Sequence, residues 1–106
     1  MTPIAWLIFM AAAVLEVGGD AVIRQGLRGR SILFIVCGFL TLGCYGIVVN
    51  TVKWDFSRLL GVYVAVFAII SVLTGRFAFK ENIPISTWAG LAIIVIGGLV
   101  IQVGRG

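Results

Sequence analysis

Apolar residues fall into four long runs, and polar residues into the three short breaks between them. The runs span about 4–23, 31–52, 58–75 and 85–103. A bilayer hydrocarbon core of about 30 Å takes roughly 20 apolar residues of α-helix, so each run is long enough to cross once. The breaks are basic or polar: Arg24 to Arg30 (RQGLRGR), Lys53 to Ser57 (KWDFS) and Arg76 to Pro84 (RFAFKENIP). Gly26 and Gly29 are expected to break the first helix within its basic connection, because glycine is a poor helix former. The pattern predicts an all-α integral membrane fold in which residues 1–106 form a single four-helix transmembrane domain.

Composition supports this reading. Of the 106 residues, 61% are hydrophobic and 11% charged, against about 25% charged in soluble domains, and the mean hydropathy is +1.19. A soluble domain this small could not cover its surface with so few polar residues. The net charge of +4 does not point to nucleic acid. The bases lie between apolar runs, where headgroup contact and topology account for them. Trp6, Trp54 and Trp88 fall near the expected membrane–water boundaries, which tryptophan favours. The first run lacks a basic leader and contains two acids, so it reads as a retained span and not a cleaved signal.

Topology is weakly specified. The connections after spans one and three hold Arg24, Arg28, Arg30, Arg76 and Lys80, and the other side holds Lys53, Arg58 and Arg105. Five bases against three mildly favour both termini outside, and a bias this small permits insertion in both orientations.

The chemistry concentrates in the first run. Glu16 lies deep within it and Asp20 follows one helical turn later. Ionisable groups at membrane depth are costly, so the default reading is that they face a cavity or partner helix and belong to a site. Residues four apart share nearly one helical face. Asp20 is also four residues before Arg24, which suits an ion pair, so Asp20 is either that partner or a second substrate-binding carboxylate. Glu16 is either a proton and cation site or an inert, protonated hydrogen-bonding group. Gly18 and Gly19 beside it would let a helix or ligand approach closely.

Other features are open to two readings. Cys37, Thr41 and Tyr45 continue one stripe of span two, lining a cavity or simply packing. Cys37 and Cys44 are seven residues apart, roughly 10 Å of helical rise, too far for an intrahelical disulfide. The chain has no histidine, so no metal site is expected. There is no phosphate-binding glycine loop and no His/Cys cluster, so neither a cofactor nor an enzymatic activity is expected. In span four Gly90, Gly97 and Gly104 recur every seven residues, with Gly98 beside the middle one. Such a stripe allows close helix approach in lipid and would serve as a dimer-packing face, although glycine is common in spans generally. Four helices enclose little volume, so a transport pathway calls for an oligomer.

These residues carry a resemblance. A four-span chain with Glu16 midway along its first span, in Leu15-Glu16-Val17-Gly18-Gly19, and with a base, Arg24, eight positions later, resembles the small multidrug resistance transporters. These are the minimal members of the drug/metabolite transporter superfamily. They share an E-x-x-G element and commonly carry Lys where Arg24 stands. Gly61-Val62-Tyr63-Val64 is similar to the glycine–aromatic segment lining their binding chamber, and Tyr63 stands where many carry Trp or another aromatic. That run and Thr87-Trp88-Ala89-Gly90 also resemble the small YnfA-type relatives. Asp20 departs from the pattern: typical members have a small polar residue there.

The resemblance implies an antiparallel, dual-topology homodimer in the bacterial inner membrane. Two copies of Glu16 would meet in one chamber, bind protons and a cationic substrate in competition, and drive efflux by antiport. Tyr63, Tyr45 and Trp6 either offer aromatic faces to the cation, each contact contributing about 0.5–2 kcal/mol, or serve ordinary helix packing and interface anchoring, the reading that suits Trp6 better. The fourth spans, through Gly90, Gly97 and Gly98, would make the dimer contact. The alternative is a non-transporting membrane protein that assembles with or regulates a larger membrane partner.

Overall fold

Each apolar run contains enough helix-compatible Leu, Ala, Ile and Val for its backbone to satisfy its own hydrogen bonds, as lipid requires of any open-chain span. In the computed structural model, which describes residues 3–104, the runs become α1 (Pro3–Gly29), α2 (Ile32–Val49), α3 (Phe56–Phe77) and α4 (Ile85–Gly104). All four are long and apolar enough to cross a membrane. Arg105, counted above for topology, lies outside the described residues.

The helices pair as two compact units, residues 1–52 and 53–106. In the first, α1 packs on α2. In the second, α3 packs on α4. Each unit is an antiparallel helical hairpin closed by a basic turn.

One expectation fails at the first turn. Gly26 does not break α1, which continues through the basic segment and ends at Gly29. Reversal falls instead at Arg30, which adopts the left-handed conformation with φ 55°. The Ser31 N–H then reaches back to the Gly26 carbonyl at 2.8 Å, the six-to-one bond of a Schellman closure. Gly26 serves by its size: a β-carbon there would lie 2.9 Å from both the Ser31 oxygen and the Ile35 nitrogen. Its packing in the turn outweighs its low helix propensity. Ser31 caps α2 by accepting the Phe34 N–H on Oγ at 3.3 Å.

The second unit also turns through a left-handed basic residue, with a longer closing bond. Lys80 also has φ 55°, and the following Glu81 N–H donates to the carbonyl of a buried glycine, Gly75, at 3.0 Å. In both hairpins a basic side chain occupies the left-handed position, so the residue that reverses the chain also presents charge at the turn.

Candidate functional site

The site is built from the way α1 lies on α2. Gly19 and Gly38 bring the two backbones together: a β-carbon on Gly19 would stand 3.1 Å from the Gly38 carbonyl oxygen, and one on Gly38 would stand 2.8 Å from that of Gly19. Small residues at such a crossing let dispersion contacts form along both backbones, which is what holds helices together in lipid. On α1, Ala5, Phe9, Ala12, Gly19 and Gly26 are buried. Their spacing of alternating three and four residues describes one packing row, and Glu16 occupies the vacant position in that row between Ala12 and Gly19.

Glu16 is therefore half-buried, whereas Asp20, one turn on, is exposed. The two acids share a broad helical face but not an environment. From α2, Tyr45 is also half-buried. The geometry follows from helix direction: side chains lean toward the N-terminus of their own helix, so Tyr45 leans from its antiparallel helix toward the level of Glu16. Thr41, on the same stripe, donates its hydroxyl to the Cys37 carbonyl at 2.8 Å, so its own backbone satisfies it. Cys37 and Cys44 are free thiols on exposed surface. Gly18 has nothing within 4 Å of where a β-carbon would sit. The adjacent glycines thus divide their work, Gly19 meeting a helix and Gly18 leaving space two residues from both Glu16 and Asp20. No charged side chain among the described residues is fully buried.

Tyr63 lies in the second unit, on α3, where only 3% of its surface is exposed. Its ring tilts against Phe67, with centroids 6.3 Å apart. Glu16 and Tyr45 thus belong to one hairpin and Tyr63 to the other. Trp6 meets Phe9 edge to face at 5.9 Å between centroids. Of the α4 glycines, Gly98 is used within its own unit, where a β-carbon would stand 2.8 Å from Ala65 Cβ on α3. Gly90 and Gly97 have nothing within 4 Å.

A polar cluster that sequence reading overlooked ties α3 to α4. Arg58 donates from Nε and Nη2 to Gln102 Oε1 at 3.2 and 3.0 Å, and its guanidinium stacks 3.8 Å from the centre of the Trp54 ring. Gln102 was a legible signal, since it is the one amide side chain of the fourth run. Among the described residues no three His, Cys, Asp or Glu side chains gather into a group that could hold a metal ion.

Comparison with known proteins places this geometry. Residues 3–106 match the family described as "Uncharacterised BCR, YnfA/UPF0060 family". The chain is similar to the UPF0060 membrane protein of Mycolicibacterium gilvum, 35% identical over 100 residues covering 91% of each chain. It is also similar to the UPF0060 membrane protein YfjF of Bacillus subtilis, 31% identical over 103 residues covering 95% of this chain and 94% of that one. No solved structure matches. With the whole described fold inside the matched region, and four helices fit to cross a bilayer, the chain belongs to the YnfA/UPF0060 family of membrane proteins.

Proposed function

We propose that this protein is a proton-coupled antiporter exporting small organic cations or related metabolites, with Glu16 as the shared proton and cation site. The observation that carries the reading is the place of Glu16. It stands half-buried in the row of α1 that packs against α2. An acid in such a position is costly unless used. One carboxyl group can hold a proton or a cation but not both, so an arriving cation replaces the proton. Tyr45 supplies a polar hydroxyl and an aromatic face beside the same carboxyl. Exchange of proton for cation in a chamber open alternately to each side gives coupled efflux without a nucleotide, a metal or a covalent intermediate.

One copy has too few helices to enclose such a chamber, so the working form is a homodimer in the bacterial inner membrane. The weak five-to-three distribution of bases suits two copies inserted in opposite orientations. Gly97 and Gly104 on α4, which meet nothing within their own chain, are the contact surface offered to the second copy. Asp20, exposed, tunes the site from its edge. Tyr63 joins the cation's surroundings only if the chamber draws on both units.

The test is proton release from detergent-solubilised protein on adding a panel of hydrophobic and hydrophilic organic cations. Wild-type protein releases protons with at least one member, and Glu16→Gln releases none. Release that survives Glu16→Gln would remove Glu16 from the site. A wild type inert to the whole panel would favour the non-transporting, partner-assembling role.

A further inference from the structure

Between α3 and α4 the close approach at Gly98 gives way, toward the Lys80 turn, to a groove of about 400 Å³. Val64, Phe67 and Val72 form one wall, and Gly90, Leu91 and Ile94 the other. Two hydroxyls reach the lining, Ser71 and Thr87. The Ser71 hydroxyl is already given to the Phe67 carbonyl at 2.6 Å, so the groove asks for an apolar occupant and has no carboxylate to hold a cation. Its floor at Gly90 is open, with nothing within 4 Å of a β-carbon position.

One turn beyond Val72 along α3 stands Arg76, and the turn itself presents Lys80 in the left-handed conformation. Both are exposed. The one acid of this turn, Glu81, folds its carboxylate back over Gly75, 2.5 Å from that residue's β-carbon position, so two bases stand against one acid at this end of the α3–α4 hairpin. An apolar trough at membrane depth ending under paired cations matches a molecule with an acyl chain and an anionic phosphate.

We propose that this groove is a binding site for an anionic phospholipid, its chain lying between α3 and α4 and its phosphate held by Arg76 and Lys80. The assignment is independent of transport. It does not involve Glu16, and it leaves Gly97 and Gly104 to the second copy. Charge complementarity selects lipid over the fourth helix of a second copy, because α4 from Ile85 to Gly104 carries no acid to meet Arg76 and Lys80.

The experiment is native mass spectrometry of delipidated protein with phosphatidylglycerol and phosphatidylcholine of the same acyl chains. Wild type retains phosphatidylglycerol preferentially. The Arg76→Gln/Lys80→Gln double variant loses that preference, by about fivefold for each charge removed, while keeping weak binding of both lipids. Gly90→Leu, filling the groove where there is room, weakens both lipids. Equal binding of the two lipids by wild type, or a preference untouched by the double variant, overturns the proposal without needing any variant of uncertain fold. Efficient cross-linking of two copies through Gly90→Cys in native membranes would show that a second chain, not lipid, fills the groove.

Discussion

The backbones of Gly19 and Gly38 meet reciprocally: each glycine lies where a β-carbon on the other would press on a carbonyl oxygen, at 3.1 and 2.8 Å. This contact sets the distance between α1 and α2, and so the depth at which Glu16 and Tyr45 share an environment. Neither helix can supply it alone.

Gly38→Ala should open this crossing. The added methyl meets both the Gly19 oxygen and the Ile23 side chain and backbone, so a cost of about 1–3 kcal/mol follows from overpacking. Gly43→Ala, on the same helix with open space around it, should stay within about 0.5 kcal/mol of wild type. Thermal unfolding of both variants in the same detergent checks the difference.

Proton and cation competition at one carboxyl has a definite sign with pH. Lowering the pH protonates Glu16 and weakens cation binding, and raising it strengthens binding until the carboxyl is fully ionised. The apparent affinity should change by about tenfold per pH unit for each proton displaced. Titration of cation binding across pH checks this. Asp20→Asn should keep the dependence, since Asp20 is exposed, and Glu16→Gln should abolish it.

Arg58 and Gln102 lock the α3–α4 hairpin through two bonds to one amide oxygen. Gln102→Leu should destabilise the protein by about 1–2 kcal/mol, the scale of hydrogen bonds to a charged group in a partly exposed setting. Once Gln102 is gone, Arg58→Leu costs only what its stacking on Trp54 contributes, about 0.5–1 kcal/mol. A double-variant cycle read by thermal unfolding measures the coupling, and additivity within about 0.5 kcal/mol would show the pair to be independent.

The basic turns carry strain that glycine would relieve. Arg30 and Lys80 both hold φ 55°, a conformation glycine adopts without steric cost. Arg30→Gly should stabilise the first hairpin by about 0.5–1 kcal/mol while removing one base from the five that mildly orient the chain. Greater thermal stability, together with a shift in reporters fused to the terminus toward even insertion, is the expected pair of outcomes.

The sequence by itself determined the four spans, the chain's membrane character and the singular position of Glu16, because hydropathy and a charge inside an apolar run are local properties. Spans three and four ended within two residues of the expected bounds for the same reason. Tertiary structure alone decided which glycines matter. Gly18 and Gly19 are neighbours of identical chemistry, yet one meets open space and the other a helix. Gly97 and Gly98 divide in the same way. A glycine records that close approach is possible, not what approaches. Only packing carried α1 through Gly26, where the turn needed a residue without a β-carbon more than the helix needed a better former. Only packing, too, separated Glu16 from Asp20: one turn along a helix is a small step in sequence, but it crosses from the row that faces a partner helix to the surface beside it.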